Sequence, residues 1–329
     1  MNRRQALFGA TALGVLAAQA QAQATPPQPM RRGVNLGNAL EAPNEGEWGF
    51  RIETVHLDAI AEAGFDGVRL PVRWDSHMAA SAPFTIESSH LDRVSEVVGE
   101  ALARGLIVQL DAHHYDTEED DLTLETPRFR AMWRQIARRF ASAPSRLMFE
   151  PYNEPNGEFW TPARVTAIQA VALEEIRAVS PTRAVVMGGP NWNSIDGLAQ
   201  WRPPLDAHTI LTAHYYEPHN FTHQGATWSN PPPRYNRAWG AANDRRRVQA
   251  DIARAASIAR ARGMALQIGE FGVIDRAPRA QRVRWLRTVR EACEAHGLGW
   301  CVWDFAGAFP IWSRRTRRFM PDMLAALMD

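Results

Sequence analysis

The stretch Leu147-Met148-Phe149-Glu150-Pro151-Tyr152-Asn153-Glu154-Pro155 combines an apolar run of strand length with a polar end. A second stretch, Gln267-Ile268-Gly269-Glu270-Phe271-Gly272, follows Ala265 and Leu266 and has the same form. Short apolar runs bounded by turn residues are typical of buried strands in a parallel sheet. Each stretch therefore predicts a strand that ends at a lone glutamate.

The same pattern recurs along the chain, with stretches of helical period between the apolar runs. It predicts eight strands: Gly33 to Gly37, Gly67 to Arg73, Leu106 to His113, Leu147 to Glu154, Ala184 to Gly189, Thr209 to Tyr216, Ala265 to Gly272 and Gly299 to Phe305. It predicts helices at Thr54 to Ala63, His90 to Arg104, Arg128 to Ala141, Pro162 to Val179, Ile195 to Trp201, Asn243 to Arg262, Pro278 to His296 and Arg315 to Met328. Strand and helix units that alternate in this way imply parallel strands joined by right-handed crossovers. We therefore expect an α/β chain whose residues 32–329 form a single domain, a (β/α)8 TIM barrel.

An open doubly wound sheet is the alternative for such an alternation. That fold usually carries a G-x-G-x-x-G phosphate loop after its first strand. Here the corresponding segment is Gly33-Val34-Asn35-Leu36-Gly37-Asn38, in which the two glycines are four residues apart. The sequence therefore favours the closed barrel.

Residues 1–24 have the features of a signal peptide. Met1-Asn2-Arg3-Arg4 is a charged start, Ala6 to Ala18 is apolar, and Ala18 to Ala24 contains overlapping A-x-A cleavage sites. The paired arginines leave twin-arginine export and general secretion both open. We expect export to the periplasm or the cell exterior without a membrane anchor, because the apolar stretch is too short to span a bilayer. Residues 25–31 are rich in proline and predict an extended lead-in.

Composition narrows the class of partner. The chain has 37 basic and 36 acidic side chains, so it lacks the basic surplus of a protein that binds nucleic acid or a membrane surface. It has twelve tryptophans and five tyrosines. Some tryptophans are expected in a large core, but the flat apolar face of an indole also suits the CH-rich face of a sugar ring. A neutral substrate is therefore expected.

Catalytic groups of a barrel lie at the carboxyl ends of its strands. Polar or aromatic residues end nearly every predicted strand: Asn35, Asn38, Arg69, His113, His114, Asn153, Glu154, Asn191, Trp192, His214, Tyr216, Glu270 and Trp303. A single one of them could be structural, but their recurrence on strand after strand predicts one site. Glu154 and Glu270 would supply the two carboxylates that cleavage of a glycosidic bond requires.

Two other groups of residues invite a catalytic interpretation that the spacing does not support. Glu150 lies four residues before Glu154 on the same strand and should also point inward, where we expect it to pair with a barrel arginine. His113 and His114, with Asp111 and Asp116, lack the H-E-x-x-H or facial-triad spacing of a metal site. We expect no metal and no other cofactor.

A disulfide between the two cysteines of the chain is possible, but their predicted positions disfavour it. Cys301 has the same strand parity as Trp303 and should point into the barrel, whereas Cys293 lies on an outer helix. We therefore expect the two thiols to remain unpaired, although cysteines of an exported protein often pair.

A set of short strings runs from about Arg32 to Phe305: Gly33-Val34-Asn35-Leu36-Gly37-Asn38-Ala39-Leu40-Glu41, Val68-Arg69-Leu70-Pro71, Asp111-Ala112-His113-His114-Tyr115, Asn153-Glu154-Pro155, His214-Tyr215-Tyr216, Gly269-Glu270-Phe271 and Trp303. In combination they resemble glycoside hydrolase family 5, which contains many bacterial endo-β-1,4-glucanases. Asn-Glu-Pro alone would be weak evidence.

The resemblance implies a role for each matching position. Glu154 would be the general acid and then the base, Glu270 would be the nucleophile, and Asn153 would bond the 2-hydroxyl of the cleaved sugar. Arg69 and Tyr216 would support the nucleophile and keep it ionised, while burial and the charge of Glu270 would raise the pKa of Glu154. The remaining positions would shape the subsite or contact sugars: His113, His114, His214, Trp303, Asn38 and Glu41.

The longest connection follows the sixth predicted strand, from Glu217 to about Gly240, and is rich in aromatic residues. Long loops of compact barrels tend to be functional. We expect this loop to wall one side of the substrate cleft, with Trp228 as a sugar platform. The alternative is that its aromatic residues only pin it to the barrel. Trp48 and Trp192 are weaker platform candidates.

These observations predict a monomeric, secreted, retaining endo-β-1,4-glycanase that binds a β-linked polysaccharide or oligosaccharide and acts on cellulose-type or mixed-linkage glucan. Hydrolysis of β-mannan or xyloglucan remains open, because the same frame tolerates sugars that differ at one hydroxyl. An exo-acting β-glucosidase is less favoured. A noncatalytic sugar-binding barrel would require the loss of Glu154 or Glu270, and both residues are present.

Overall fold

Eight parallel strands close into a barrel in chain order, and the first strand pairs with both the second and the eighth. The computed structural model describes residues 27–115, 122–229 and 232–329; the predicted signal peptide and Asp116 lie outside these residues. The strands are β1 (Arg32–Asn35), β2 (Gly67–Leu70), β3 (Ile107–Asp111), β4 (Leu147–Glu150), β5 (Val185–Met187), β6 (Thr209–His214), β7 (Leu266–Phe271) and β8 (Gly299–Val302). The predicted (β/α)8 TIM barrel is confirmed.

Helices alternate with these strands and cover the outside of the barrel. They are α1 (Thr54–Glu62), α2 (Ser88–Ala103), α3 (Leu122–Arg139), α4 (Pro162–Val179), α5 (Ile195–Gln200), α6 (His219–Thr222), α7 (Ala242–Arg262), α8 (Arg279–Ala295) and α9 (Pro321–Met328). The single turns Asp75–His77 and Pro190–Asn193 were not predicted.

The last predicted helix, Arg315 to Met328, was wrong in its first part. Two short antiparallel strands, Trp312–Ser313 and Arg318–Phe319, precede α9, and the turn between them places Arg317 at φ 51°. The helix begins only at Pro321, whose fixed φ and missing N–H suit the first helical position.

The predicted strands extend beyond the observed ones at their carboxyl ends. The fourth was expected to run to Glu154, but β4 ends at Glu150, and Glu154 takes a left-handed φ of 46°. The sixth and eighth likewise end before Tyr216 and Trp303. Glu154, Tyr216 and Trp303 therefore lie on the loops that continue the strands, where side chains no longer follow strand alternation.

The lead-in closes the opposite, amino-terminal end of the barrel. Residues 27–30 have no regular secondary structure, and the side chain of Met30 is fully buried in a cluster with Met148, Ala184, Val186, Ile210 and Cys301. A Cβ added at Gly67 would overlap the Met30 side chain, so the barrel needs a glycine there. Asp66 fixes the lead-in by accepting hydrogen bonds from the backbone N–H groups of Arg31 and Arg32 at 2.9 and 3.0 Å.

The two cysteines lie where their sequence positions indicate. Cys301 belongs to the cluster inside the barrel, and Cys293 lies on α8 in the layer between helices and strands. Both thiols are buried and unpaired.

Most of the tryptophans belong to the core, as expected for so large a number. Trp74, Trp133, Trp201, Trp285 and Trp300 are fully buried. Trp48, Trp192 and Trp228 are exposed, and these are the residues that the sequence offered as sugar platforms. In the described ranges, no helix combines the length and the apolar character needed to span a membrane.

Candidate active site

Arg69 is the central cation of the barrel mouth. It lies on β2 with a fully buried side chain, and its guanidinium contacts three carboxylates and two amide oxygens. Its N–H groups reach Asp111 at 2.6 Å, Glu150 at 2.6 and 3.1 Å, and Glu270 at 2.7 Å. They also donate to the side-chain oxygens of two asparagines, Asn35 at 2.9 Å and Asn153 at 2.7 Å.

Glu150 therefore pairs with a barrel arginine, as the sequence predicted. It also accepts a hydrogen bond of 2.6 Å from Gln109, which in turn accepts one of 2.7 Å from Gln267. These contacts connect β2, β3, β4 and β7 across the interior. Because both partners of the ion pair are buried, removal of one would leave an uncompensated charge.

Glu270 reaches the site through an irregularity in β7. Gln267 points into the barrel, so strict alternation would direct Glu270 outward. The register of β7 shifts against both β6 and β8 at this point, and such a bulge re-aims the side chain. A Cβ at Gly269 would overlap the hydroxyl of Thr212, so the local path of the chain requires glycine.

The carboxylate of Glu270 is held at both oxygens. Oε1 accepts from Arg69 at 2.7 Å, and Oε2 accepts from the hydroxyl of Tyr216 at 2.8 Å. His214 Nδ1 lies 3.5 Å from the same Oε2. These contacts fix the carboxylate and favour its ionised form.

Glu154 has a different environment. Its Oε1 lies 2.6 Å from Nδ1 of His214, and a quarter (25%) of its side chain remains exposed to solvent. No arginine contact is recorded for it in the part of the chain that the structure describes. Glu154 and Glu270 thus both contact Nδ1 of His214. Of the two, Glu270 is the one that forms an ion pair with Arg69.

The two carboxylates are close together. One ligand atom from each of Glu154, His214 and Glu270 lies within 4.8 Å of the others. Glycosidases that retain anomeric configuration hold their carboxyl groups about 5–5.5 Å apart, whereas inverting enzymes need about 6.5–9.5 Å. A metal ion would also accept this spacing, but the atoms already have protein partners in Arg69, Tyr216 and His214.

Burial raises the pKa of both carboxyl groups, but not equally. Desolvation raises the pKa of Glu154 to about 8, and the charges of Glu150 and Asp111 add to the rise against the opposing effect of Arg69. Desolvation raises the pKa of Glu270 to about 7, although His214, Arg69 and Tyr216 lower it. Glu154 therefore holds its proton more tightly. The rise at Glu154 agrees with the sequence analysis, whereas Glu270 was expected to ionise more readily than its burial allows.

Asp111 and His113 connect Arg69 to the aromatic wall of the site. Asp111 Oδ2 lies 3.1 Å from His113 Nδ1, and burial holds the pKa of His113 well below its usual range. The imidazole is parallel to the ring of Trp303, with centroids 5.3 Å apart. A Cβ at Gly37 would meet the Trp303 ring at 2.8 Å, so the indole lies across the end of β1.

Glu41 was expected to reach sugars, but its carboxylate turns back onto its own loop. It accepts hydrogen bonds from the backbone N–H groups of Asn38 and Ala39 and is almost fully buried. Burial raises its pKa to about 8. In this conformation Glu41 stabilises the loop after β1. Asn38 donates to the buried carboxyl of Asp304, which follows Trp303, so these contacts tie together the loops after β1 and β8.

Two tryptophans of the loop that follows β6 differ in burial. Trp239 is buried and stacks on Phe221 of α6 with centroids 6.1 Å apart, so it pins the loop. Trp228 is 59% exposed and lies 6.3 Å from Phe309. Phe309 in turn lies 6.0 Å from Tyr216. Trp228 therefore flanks the side of the mouth on which Tyr216 and Glu270 lie.

His114 and Trp192 occupy other parts of the rim. His114 contacts His113 edge to face at 4.8 Å, and exposed Trp48 lies 6.2 Å beyond it. Trp192 donates its backbone N–H to the carbonyl of Pro155, next to Glu154. The predicted site residues thus gather at one end of the barrel.

The sequence analysis missed three contributors. Asp111 was weighed only as a metal ligand, although its position two residues before His113 shows that it points inward. Asp304 lies two residues after β8 and Asn193 six residues after β5, and neither was selected. The parity that marks Asp111 gives no signal for them, because Asp304 alternates with Trp303 and Asn193 lies beyond its strand.

A family model described as Cellulase (glycosyl hydrolase family 5) matches residues 32–308. This range includes all eight barrel strands, both glutamates and Trp303. The chain therefore belongs to glycoside hydrolase family 5.

Named relatives share most of this chain. Endoglucanase H of Acetivibrio thermocellus is 36% identical over 307 residues, which are 91% of this chain and 33% of that protein. Cellulase/esterase CelE of the same organism is 27% identical over 328 residues, 90% of this chain and 39% of that protein. The chain thus spans well under half the length of these two relatives.

A solved structure of similar size matches the whole domain. Cel5A of Thermotoga maritima in complex with cellobiose has a TM-score of 0.88 and 35% identity, over 91% of this chain and 97% of that one. The same protein in complex with mannotriose gives the same values. The barrel described above is therefore similar in extent to a complete solved glycoside hydrolase chain.

Proposed function

We propose that this protein is a retaining endo-β-1,4-glucanase that cleaves β-glucan by double displacement. The observation that carries the proposal is the placement of Glu154 and Glu270, whose ligand atoms lie within 4.8 Å of each other while their partners differ. One carboxyl group holds its proton more tightly and the other is paired with Arg69. This is the asymmetry that a retaining mechanism requires.

In the first step Glu154 donates its proton to the glycosidic oxygen while a Glu270 oxygen attacks the anomeric carbon. The bond from carbon to the leaving oxygen breaks, and an ester forms between the sugar and Glu270. The leaving chain departs with the proton, so Glu154 becomes a carboxylate. Arg69 and Tyr216 place their donors on the Glu270 oxygens before the reaction and therefore orient the nucleophile.

In the second step Glu154 acts as a base. Esterification removes the negative charge of Glu270, which lies close to Glu154, so the pKa of Glu154 falls. Glu154 then takes a proton from water, whose oxygen attacks the anomeric carbon and releases Glu270. The two inversions together return the β configuration, and both carboxyl groups regain their starting protonation.

The substrate class follows from the walls of the cleft and from the similar structures. Half-buried Trp303 offers an indole face next to the site, and Trp228 remains exposed beside Phe309. The similar Cel5A structures carry cellobiose in one case and mannotriose in another. We therefore propose β-1,4-glucan as the substrate and β-mannan as the second candidate.

Reducing-sugar release from carboxymethylcellulose, barley β-glucan, mannan and xyloglucan tests the substrate class. We expect the fastest release from one of the two glucans, and rapid loss of viscosity that marks cleavage within the chain. Preference for mannan or xyloglucan would overturn the glucan assignment, and release of glucose alone from chain ends would overturn endo action.

Two variants test the catalytic assignment. Glu154→Gln and Glu270→Gln should each lower turnover of the preferred polymer by about 100-fold or more, because each removes an acid–base or nucleophilic group. Glu158→Gln, an exposed glutamate on the same loop as Glu154, should match wild type. Turnover within tenfold of wild type in either catalytic variant, or α-configured nascent reducing ends by NMR, would contradict the proposal.

We also propose that the protein is exported, on the basis of the charged start, the apolar stretch and the A-x-A sites in residues 1–24. Mass spectrometry of protein recovered outside the cytoplasm should find an amino terminus close to residue 25. Recovery of the intact chain in the cytoplasm alone would contradict export.

A further inference from the structure

A left-handed turn after β5 carries a buried asparagine under the active site. Asn191, Trp192 and Asn193 have φ values of 58, 57 and 51°, a region that asparagine tolerates better than most residues. The first two side chains are exposed, but Asn193 is fully buried. A Cβ at Gly188 would overlap the Asn193 side chain, so β5 leaves room for it.

The amide of Asn193 faces the histidine that serves both glutamates. Its Nδ2 lies 3.5 Å from Nε2 of His214, whose other nitrogen, Nδ1, contacts Glu154. The Asn193 Oδ1 is buried without a hydrogen-bond partner. A buried oxygen without a hydrogen bond lowers the free energy of unfolding, so the amide is placed at this site at the expense of stability. Unsatisfied buried groups of this kind often mark a functional constraint.

The surroundings of His214 favour one of its two neutral tautomers. Two carboxyl oxygens converge on Nδ1, Glu154 Oε1 at 2.6 Å and Glu270 Oε2 at 3.5 Å. A proton on Nδ1 satisfies both oxygens, whereas a lone pair there would face the ionised Glu270. With Nδ1 protonated in a neutral ring, Nε2 must accept a hydrogen bond. Among the residues that the structure describes, Asn193 Nδ2 is the one donor recorded beside it.

We propose that Asn193 is a positioning residue that holds His214 as its Nδ1–H tautomer and thereby leaves the proton of Glu154 on the oxygen that faces the substrate. This inference rests on the proposed acid role of Glu154. In the Nδ1–H tautomer, His214 donates to Glu154 Oε1, so the acidic proton resides on Oε2. In the opposite tautomer, the Nδ1 lone pair would accept that proton and compete with the glycosidic oxygen for it.

The tautomer also serves the second step. When Glu154 has lost its proton, the Nδ1–H group donates to the resulting carboxylate and keeps its orientation. His214 gains and loses no proton in either step, since the proton passes only between Glu154, the leaving oxygen and water. Asn193 therefore acts through His214 and touches no reacting atom.

Leaving-group dependence separates this role from a structural one. Asn193→Ala should lower kcat/KM on cello-oligosaccharides by about tenfold or more, which is part of the roughly 100- to 10,000-fold that general acid–base catalysis contributes. The burst of dinitrophenolate from 2,4-dinitrophenyl β-cellobioside should stay within threefold of wild type, because that leaving group needs no acid. The control is Asn243→Ala, which removes an exposed asparagine from the first turn of the outer helix α7 and should leave both rates near wild type. Equal losses on the two substrates, or an equal effect of the control, would overturn the proposal.

The tautomer of His214 can be observed directly in the folded wild-type protein. In wild-type protein labelled with ¹⁵N-histidine, the His214 signal, assigned by its absence in His214→Gln, should show a protonated Nδ1 and an unprotonated Nε2. In Asn193→Asp, whose ionised side chain can only accept, Nε2 should become protonated. A protonated Nε2 in neutral wild-type His214 would overturn the role of Asn193. The proposed function would stand in that case, because it depends on the separate loss of turnover in the two glutamate variants.

Discussion

The two ends of the barrel interior are filled by opposite kinds of side chain. At the amino-terminal end, the lead-in and the strands supply an apolar cluster: Met30, Met148, Ala184, Val186, Ile210 and Cys301. At the carboxyl-terminal end, Arg69 is surrounded by Asp111, Glu150 and Glu270. The amides of Gln109 and Gln267 lie between charge and core.

The two fillings contribute differently to stability. Burial of apolar side chains at the lower end stabilises the fold by about 25 cal/mol for each Å² removed from water. Buried ion pairs gain little over an apolar filling, because desolvation of the charges offsets their attraction. Burial raises the pKa of Asp111, Glu270 and Glu154, which shows that the mouth resists ionisation. We infer that the lower end contributes most of the stability of the barrel interior and that the polar mouth contributes less.

Removal of the central cation should have the largest effect. Arg69→Met leaves three buried carboxylates without their shared cation, so the free energy of unfolding should fall by about 3–5 kcal/mol at pH 8, and turnover should be lost. The destabilisation should shrink at pH 5, because protonation of Asp111 and Glu270 removes the charges that Arg69 balances. Urea unfolding at the two pH values measures both effects.

Arg183→Met provides the matched control for this prediction. Arg183 is also a buried arginine, but its recorded partners are backbone carbonyls, among them those of Ala143 and Leu147. Its removal should cost nearly the same at pH 5 and pH 8. An equally pH-independent loss in Arg69→Met would show that the charges of the mouth do not govern its stability.

The lower end can be weakened without an effect on chemistry. Met30→Ala should lower the free energy of unfolding by about 2–5 kcal/mol, since it leaves a cavity among apolar side chains that cannot collapse fully. The kcat on the preferred polymer should remain within twofold of wild type well below the unfolding temperature. A large fall in kcat for folded Met30→Ala would contradict the separation of the two ends.

The lower end was also the part that sequence could predict. Apolar runs and alternation located all eight strands and placed Cys301 inside the barrel, because apolar burial depends on patterns that repeat along the chain. The inward direction of Glu150 followed from the same parity. These features are set by local periodicity alone.

At the mouth, sequence identified the residues but not their contacts. Glu270 points inward only because β7 bulges, and Glu154 lies in a left-handed conformation after β4 has ended. Neither departure from regular geometry has a periodic signal. The convergence of Asp111, Glu150 and Glu270 on Arg69 depends on the packing of four strands. Such long-range contacts cannot be read from spacing.

The buried carboxyl group of Glu154 should lower the free energy of unfolding by an amount that depends on pH. The pKa of Glu154 is about 8 in the folded protein against an ordinary value of 4.5, so the folded state binds its proton more tightly. The resulting stability is present below about pH 4.5 and is lost as pH rises through about 8. Glu154→Gln cannot ionise at this position. Its free energy of unfolding should therefore rise relative to that of wild type as the pH increases. We expect its Tm to exceed that of wild type by about 2–4 °C at pH 9, which corresponds to about 1 kcal/mol, with little difference at pH 5.

Glu158→Gln is the control for this pH trend, because Glu158 is exposed on the same loop. Its Tm should follow that of wild type at both pH values. If the Tm of Glu154→Gln differed from that of wild type by the same amount at pH 5 and pH 9, that result would contradict the prediction that ionisation of Glu154 destabilises the folded protein.

The smallest expected effect concerns the hydroxyl that holds the Glu270 carboxylate. Tyr216 donates to Glu270 and lowers its pKa, and the nucleophilic role that we propose for Glu270 requires its ionised form. Tyr216→Phe should therefore move the acidic limb of the kcat/KM profile upward by less than about one pH unit, since one neutral hydrogen bond is worth about 1 kcal/mol. The alkaline limb, which reports Glu154, should stay in place. Tyr215→Phe is the matched control, because that neighbouring hydroxyl points outward and donates to Asp251 on α7. If both limbs moved together, or if Tyr215→Phe gave the same shift, the hydroxyl of Tyr216 would not be what distinguishes the two carboxylates.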